Sequence, residues 1–218
     1  MANVLCFDFD DTIVLENTAR LLFERFGTDS WDAVGKEYDE GRLSVEQANA
    51  AALRDVTATR DEMMAFVRES ATMRQGFLEL LDWCHWNDWM PVVISNGFDF
   101  YVDAVLDAAG LDRLARHAAR TRFDYRWLAT YLSPRGVELQ SDFKLSYAAA
   151  FQNMGDFVAY VGDGRSDVPA AKLAQAVFAR DTLLRELEGT HARLFAFETF
   201  DDVRGVLERE AAGWVEAF

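Results

Sequence analysis

Apolar and polar positions divide the chain into alternating strands and helices. Short, almost continuous apolar runs at residues 4–9, 90–94 and 157–162 predict strands that are buried on both faces. Two further strands are expected in the segments AVFAR and ARLFAFE nearer the carboxyl terminus. The segments between them space their apolar residues as helices do. Strands that alternate with helices predict an α/β fold with a mainly parallel sheet and helices on both faces.

A block of short helices interrupts this alternation between the first two strands. Helical spacing recurs there in NTARLLFERFG, SWDAVGKEYDEG, SVEQANAAALRDV and TRDEMMAFVRES. We expect a helical cap domain at residues 16–74, inserted into a core domain of residues 1–15 and 75–218. Residues 114–140 are harder to assign, with strands expected near HAARTRFD and RWLATYL and a turn at residues 133–136.

The composition excludes several classes of protein. Half of the 218 residues are hydrophobic, only three are prolines, and no low-complexity stretch occurs, so an ordered globular protein is expected. The net charge of −15 and the lack of a basic stripe argue against a nucleic-acid partner. No apolar run approaches the roughly 20 residues of a membrane span. Without a signal peptide, and with Cys6 and Cys84 as ordinary reduced thiols, we expect a cytoplasmic protein with no membrane partner.

Three clusters of polar residues follow predicted strands, at the edge where open α/β sheets bind their ligands. In chain order the clusters are Asp8, Asp10, Asp11 and Thr12; Ser95, Asn96 and Gly97; and Asp163, Arg165 and Asp167 within GDGRSD. A lysine, Lys144, lies in the helix before the last of these strands. Any one cluster could be a helix cap or a turn, because its residue types favour those positions. Their shared position after strands instead favours a single ligand site.

The carboxylates of the clusters imply a divalent cation. Several carboxylates at one sheet edge repel one another unless a cation neutralises them. The sequence contains no histidine cluster or thiolate pair near these aspartates. Oxygen ligands favour Mg²⁺ over zinc, and Mg²⁺ commonly binds one or two carboxylates together with water and substrate phosphate. We therefore expect Mg²⁺ as the cofactor.

The motifs DFDDT, SNG and GDGRSD, with a lysine before the third, resemble those of the haloacid dehalogenase superfamily in order and register. The resemblance covers nearly the whole chain. It implies a Rossmann-like, three-layer α/β/α core with a small helical cap, and a phosphatase acting on a small phosphorylated metabolite. In this comparison Asp8 is the nucleophile, Asp10 the general acid and base, Ser95 a phosphate-binding hydroxyl and Lys144 a phosphate-stabilising cation.

The same resemblance implies the metal and substrate contacts. It assigns Mg²⁺ to Asp8, the main-chain carbonyl of Asp10 and Asp163, with Asp167 as a ligand or as the partner of a ligand. Three further residues are expected to contact the substrate: Asn96, Gly97 and Arg165. For Arg165, an exposed position in the loop is an equal alternative.

Within the superfamily, SNGFDFYVDAVLDAAGLD resembles the phosphoserine phosphatase-like branch. The segment YVGDGRSDVPAAKLAQAVFARDTLLRELE is similar to 2-hydroxy-3-keto-5-methylthiopentenyl-1-phosphate phosphatases and to their phosphoethanolamine/phosphocholine phosphatase-like relatives. Phosphoserine phosphatases tend to have Gly in place of Asn96 and Glu in place of Asn17, whereas the carboxylate here is Glu16. These departures weaken a phosphoserine assignment, so the particular substrate stays open.

Three alternatives to a phosphatase remain. A phosphotransferase would pass the same aspartyl phosphate to another alcohol. A receiver-like signalling protein is disfavoured by the helical insertion and by the GDGRSD motif. A catalytically inactive phosphate-binding protein is disfavoured because every catalytic position is filled. The run Trp83, Trp86 and Trp89 is expected in the core or at an interface, so either a monomer or a homodimer is expected.

Overall fold

A computed structural model describes residues 2–28 and 30–216 of the chain. Its strands are β1 (Asn3–Phe7), β2 (Trp89–Phe98), β3 (Ala115–Asp124), β4 (Arg126–Leu132), β5 (Glu138–Leu139), β6 (Phe157–Gly162), β7 (Ala176–Ala179) and β8 (Leu194–Ala196). Within the described residues they form one sheet in the order β5-β4-β3-β2-β1-β6-β7-β8. All neighbours from β3 to β8 are parallel, and β4 is antiparallel to both β3 and β5.

Helices cover both faces of this sheet. They are α1 (Thr18–Phe26), α2 (Ser30–Asp39), α3 (Val45–Leu53), α4 (Arg60–Ser70), α5 (Phe77–Trp86), α6 (Asp99–Ala108), α7 (Phe143–Asn153), α8 (Val168–Leu173), α9 (Asp181–Leu187) and α10 (Phe200–Glu216). Helix α5 packs with α10, and α7 packs with α8. Because crossovers between parallel strands are right-handed, these two pairs lie on opposite faces. The expected three-layer, Rossmann-like α/β/α fold is confirmed.

The strand ends differ from the sequence prediction at two functional segments. Strand β1 ends at Phe7, two positions earlier than expected, so Asp8 is the first residue after the strand. Strand β2 runs on through Phe98 instead of ending at residue 94. Its register with β3 shifts between Ile94 and Phe98, so the SNG segment is an irregularity inside a strand. The prediction was wrong there because polar residues broke the apolar run although the strand continued.

The helices α1 to α4 lie between β1 and β2, as the helical spacing predicted. Helices α3 and α4 both begin with capping boxes, which pair Ser44 with Gln47 and Thr59 with Glu62. The two chain segments that lead into and out of this helical block pair with each other, since the Leu15 N–H donates to the Thr72 carbonyl over 2.9 Å. The division into a cap domain and a core domain stays a prediction.

The tryptophan run lies at the end of α5 and the start of β2. Trp83 and Trp89 pack with their ring centroids 6.1 Å apart, and Trp89 contacts Phe157. Trp86, by contrast, is 81% exposed. Cys6 and Cys84 are buried free thiols. Within residues 2–28 and 30–216, no helix combines the length and apolar character needed to cross a bilayer.

Candidate active site

The candidate site lies where the order of the strands reverses. From β1 the chain builds β2 and β3 on one side of the sheet and later β6, β7 and β8 on the other. Ligands of open α/β sheets bind at the carboxyl ends of the strands at such a point. Asp8 follows β1 and Asp163 follows β6, while Ser95 lies near the carboxyl end of β2. The topology therefore brings the three predicted clusters to one crevice.

Lys144 joins two of these clusters from α7. Its ammonium nitrogen lies 2.6 Å from Asp8 Oδ1 and 2.7 Å from Asp167 Oδ1, and it donates to Ser166 Oγ over 3.2 Å. The side chain is only 2% exposed. Burial opposes the charge of the ammonium, but the Asp167 and Asp8 carboxylates outweigh burial and raise the pKa of Lys144 above its usual value. A fixed positive charge therefore lies beside Asp8.

Asp167 is fully buried, and its carboxylate organises the loop after β6. Oδ2 accepts the main-chain N–H groups of Asp163 and Gly164 over 3.1 and 2.9 Å. Oδ1 accepts the Tyr160 hydroxyl over 2.8 Å in addition to Lys144. Since protein donors occupy both oxygens, this geometry favours Asp167 as the partner of a ligand over Asp167 as a ligand.

Three carboxylates converge in the crevice. One oxygen from each of Asp8, Asp163 and Asp167 lies within 4.8 Å of the other two. Burial, with the neighbouring Asp167 carboxylate, raises the pKa of Asp8 well above its usual range, although Lys144 opposes this shift. Burial and Asp167 likewise raise the pKa of Asp163 to about 7. Because one lysine does not offset this crowding, and all donors are oxygens, the cluster fits a Mg²⁺ ion.

Asp10 is held by two donors that lie in other elements. Oδ1 accepts the Thr18 N–H at the start of α1 over 2.7 Å, and Oδ2 accepts the Tyr101 hydroxyl over 2.6 Å. Burial raises the pKa of Asp10, while these hydrogen bonds oppose the shift. Asp10 also lines the cleft described below. A carboxyl group with a raised pKa at the edge of a cleft suits proton transfer.

The SNG segment is held mainly by hydrogen bonds within the protein. Ser95 is fully buried, and its Oγ accepts the Gly97 N–H over 2.9 Å. The Asn96 side chain donates to Glu46 Oε1 over 2.9 Å, and its main-chain carbonyl accepts the Tyr131 hydroxyl over 2.5 Å. Since Ser95 Oγ accepts this bond, its own proton is available to another acceptor.

A cleft of about 220 Å³ opens above these groups. Its core side includes Asp8, Asp10, Lys144 and Asp163, together with the predicted substrate residues Asn96, Gly97 and Arg165. Ser95 lies beneath them and is not among the described residues that line the cleft. The helical block supplies the opposite side, which includes Asn17, Arg20, Trp31, Tyr38, Val45 and Ala48. The cleft therefore suits a small ligand whose anionic end lies near the carboxylates and Lys144.

Two residues near the site were missed in the sequence. Tyr101, which contacts Asp10, has the pattern of an ordinary core residue of α6. Arg74 is only 7% exposed, and it donates to the main-chain carbonyls of Asp11 and Thr12 over 2.6 and 2.7 Å. It thereby holds the loop after β1 in place. No local sequence signal distinguishes either residue.

A larger cavity, of about 780 Å³, lies elsewhere, between α6, α7 and the hairpin of β3 and β4. Arg116, His117 and Tyr147 contribute to its lining, and His117 stacks on Tyr147 with their ring centroids 4.1 Å apart. None of the predicted catalytic or metal residues is among the described residues that line it. We therefore assign the chemistry to the smaller cleft.

Comparison with known proteins defines the family. The haloacid dehalogenase-like hydrolase family matches residues 5–172. The chain is 29% identical to the 2-hydroxy-3-keto-5-methylthiopentenyl-1-phosphate phosphatase of Bacillus thuringiensis subsp. konkukian (strain 97-27), over 94% of this chain and 95% of that protein. The enzyme of the same name from Bacillus cereus (strain AH187) gives the same identity and coverage. The chain therefore belongs to the haloacid dehalogenase-like hydrolases.

Solved structures agree on the fold. A substrate-bound phosphoserine phosphatase superposes with a TM-score of 0.69 at 20% identity, covering 95% of this chain and 98% of that chain. A haloacid dehalogenase family hydrolase from Salmonella enterica subsp. enterica serovar Typhi superposes with a TM-score of 0.71 at 16% identity. The match covers 95% of this chain and 72% of that chain. At these identities the likeness concerns the fold alone. The expected enzyme class, a phosphatase, agrees with the names of the sequence relatives.

Proposed function

We propose that this protein hydrolyses small phosphomonoesters through an aspartyl phosphate on Asp8. The observation that carries the proposal is the ion pair between Lys144 Nζ and Asp8 Oδ1, 2.6 Å long and buried beside the cleft. A carboxylate with a fixed ammonium beside it can approach a phosphate dianion that would otherwise repel it. Lys144 and main-chain N–H groups would bind the phosphoryl oxygens, Ser95 would donate to them from beneath the cleft, and Arg165, which lines the cleft, would contact the same group.

The reaction proceeds in two steps, formation of the aspartyl phosphate and its hydrolysis. In the first, a carboxylate oxygen of Asp8 forms a bond to phosphorus, the ester P–O bond breaks, and Asp10 gives a proton to the departing oxygen. In the second, Asp10 takes a proton from water, the water oxygen bonds to phosphorus, and the bond to Asp8 breaks. Inorganic phosphate leaves, and both aspartates return to their initial states. Either carboxyl oxygen of Asp10 can carry this proton and still accept its hydrogen bond, from the Thr18 N–H at Oδ1 or from the Tyr101 hydroxyl at Oδ2, because a carboxyl oxygen has two lone pairs.

We further propose that Mg²⁺ is the cofactor. Asp8, the main-chain carbonyl of Asp10 and Asp163 would hold it, with Asp167 fixing Lys144 and the loop that carries Asp163. When bound, Mg²⁺ would offset the negative charges of the carboxylates and of the substrate phosphate. The proposal is supported by the converging oxygens and by the raised pKa of Asp163, about 7.

For the leaving group, we propose an uncharged and partly apolar alcohol. Among the described residues that line the helical side of the cleft, Arg20 is the charged one, and Trp31 and Tyr38 supply aromatic surface. Glu16 instead accepts the Thr72 N–H over 2.8 Å, and Glu46 accepts the Asn96 side chain. Asp11 also lines the cleft, but its carboxylate already accepts the Asn17 side chain over 2.9 Å. Among the described residues of the helical side, an ammonium group, as in phosphoserine or phosphoethanolamine, would therefore find no carboxylate. The names of the sequence relatives agree with this proposal, because the molecule they print is the phosphate ester of a ketone that carries no ammonium group.

The test is phosphate release from p-nitrophenyl phosphate and a panel of metabolite esters by the wild type and by Asp8→Asn. We expect release by the wild type, none above background by Asp8→Asn, and a phosphorylated Asp8 peptide after acid quenching. Full activity in Asp8→Asn would contradict the covalent mechanism. Adding alcohols during turnover tests the phosphotransferase alternative, which predicts transfer to the alcohol in place of free phosphate.

The family match and the two cysteines bear on the receiver-like alternative and on the location of the enzyme. The match to the hydrolase family over residues 5–172 weighs against a receiver-like protein. We also propose that the enzyme acts in the cytoplasm, supported by its two buried free thiols. The choice between monomer and homodimer stays a prediction.

A further inference from the structure

Tyr101 brings a buried hydroxyl to the proposed general acid. It lies in the first turn of α6 and is fully buried, and its hydroxyl donates to Asp10 Oδ2 over 2.6 Å. The other oxygen, Oδ1, accepts the Thr18 N–H. The plane of the Asp10 carboxyl group is thus fixed by two donors from different elements. Packing does not require this hydroxyl, because phenylalanine would fill nearly the same volume.

The neighbouring sequence leaves room for the contact. A Cβ atom at Gly97 would lie 1.8 Å from the Tyr101 hydroxyl oxygen and 2.5 Å from the ring carbon that bears it. A side chain at position 97 would therefore displace the tyrosine. Phe9, Phe98 and Phe100 contact the Tyr101 ring from other directions, with centroid distances of 6.0, 5.8 and 5.6 Å. The ring is confined on several sides and its hydroxyl is aimed at Asp10.

We propose that Tyr101 is a positioning residue that orients the Asp10 carboxyl group for proton transfer to the leaving group. The inference rests on the proposed function, in which Asp10 protonates the departing oxygen. Tyr101 keeps its own proton throughout and acts only by donating a hydrogen bond. Orientation matters because proton transfer requires the carboxyl oxygen within hydrogen-bond reach of the leaving oxygen.

The test compares two leaving groups in Tyr101→Phe. An aliphatic alkoxide leaves poorly without a proton, whereas p-nitrophenolate leaves readily, so only the aliphatic ester depends strongly on Asp10. We expect kcat/KM for an aliphatic phosphomonoester from the panel to fall roughly tenfold, and for p-nitrophenyl phosphate to fall less than about twofold. A thermal melt checks that the variant is folded, and Tyr101→Met replaces it if it is not.

Two controls separate positioning from packing. Tyr147→Phe removes another buried hydroxyl, which donates to the Leu132 carbonyl over 3.0 Å outside the cleft, and should leave the ratio of the two kcat/KM values unchanged. The double variant Asp10→Asn/Tyr101→Phe should lose no more activity than Asp10→Asn alone, because Tyr101 acts through Asp10.

The outcomes distinguish this inference from the proposed function. Equal losses on both esters in Tyr101→Phe, or independent losses in the double variant, overturn the positioning role. If Asp10→Asn discriminates between the esters and Tyr101→Phe does not, only the role of Tyr101 is wrong. If Asp10→Asn does not discriminate either, the role of Asp10 as the acid is wrong, and the inference fails with it.

Discussion

At the scale of single residues, the site is governed by one buried cation among three carboxylates. Lys144 contacts Asp8 and Asp167 directly, and Asp163 completes the cluster. Two of the three carboxylic acids have raised pKa values because burial and their neighbours disfavour a further negative charge. The negative charge of Asp8, although useful for catalysis, is therefore expected to lower the free energy of unfolding.

The first prediction separates these two effects at Asp8. In Asp8→Asn the cluster loses one negative charge while Lys144 keeps Asp167 at 2.7 Å. In buffer with EDTA, we expect the free energy of unfolding of Asp8→Asn, from urea titration, to exceed that of the wild type by about 1 kcal/mol, whereas in buffer with Mg²⁺ the variant should show no turnover. Asp156→Asn is the control, because Asp156 is a buried carboxyl outside the cluster that accepts the Ala2 N–H over 2.7 Å. A lower stability in Asp8→Asn would contradict the crowding of charge.

The second prediction concerns Gly97. In Gly97→Ala the new methyl group would overlap Tyr101, so we expect the free energy of unfolding to fall by about 1–3 kcal/mol and activity to fall with it. In Gly213→Ala, within α10, the new methyl group meets nothing within 4 Å. That control should be neutral or slightly more stable, since alanine favours a helix. Equal stabilities of the two variants would show that Tyr101 moves aside freely.

At the scale of elements, α3 connects the helical block to the core. Glu46 is only 4% exposed, and its Oε1 accepts both the Asn96 side chain and the Phe143 N–H at the start of α7, each over 2.9 Å. Asn49, one turn further along α3, donates to the Asn96 carbonyl over 2.9 Å. One helix therefore holds the SNG segment and the first turn of the helix that carries Lys144.

The third prediction tests this connection. Glu46→Ala leaves two buried donors without their acceptor, at a cost of about 1–3 kcal/mol each. We expect a lower free energy of unfolding and a lower kcat, because Lys144 lies one residue after Phe143. Glu46→Gln keeps an oxygen acceptor and should lose much less of both. If the two variants behave alike, the charge of Glu46 matters and its acceptor geometry does not.

Elements were easier to predict from the sequence than contacts between them. Strand β6 has its predicted ends because all six of its residues are buried and uncharged. The SNG segment was misplaced because a strand irregularity and a loop have the same polar composition. Tyr101 and Arg74 were missed because their partners lie 91 and 62 residues away along the chain. Periodicity reports which face of an element is buried, and it does not identify what a buried polar atom contacts.

The fourth prediction concerns the helical side of the cleft, where α1 and α2 place Arg20, Trp31 and Tyr38. We expect kcat/KM to be at least roughly tenfold higher for phosphate esters of uncharged alcohols than for phosphoserine or phosphoethanolamine, because an ammonium group lacks a counter-ion there. The same panel should show Trp31→Ala weakening the uncharged esters, chiefly through KM. A preference for the amino esters would contradict the proposed leaving group.

At the scale of the whole molecule, cation binding and folding are linked. A net charge of −15 favours cations in general, but only a cluster formed by folding binds one specifically. Asp8 and Asp163 lie about 155 residues apart in sequence, so the cluster exists only when β1 and β6 are paired. A ligand that binds only the folded chain stabilises the whole chain and not merely its site.

The last prediction follows from this linkage. At a Mg²⁺ concentration about one hundred times its Kd, the folded state gains about 2.7 kcal/mol. For a domain of this size we expect the melting temperature to rise by roughly 5–10 °C, as measured in a thermal scan. Asp163→Asn should abolish most of the shift. Asp103→Asn, which removes a carboxylate paired with Arg116 outside the cleft, should retain it. If both variants keep the full rise in melting temperature, Mg²⁺ binds elsewhere or is attracted only by the net negative charge of the protein.

A rise that occurs only in the wild type and in Asp103→Asn would locate the ion at the carboxylates beside Lys144, independently of any assay of activity.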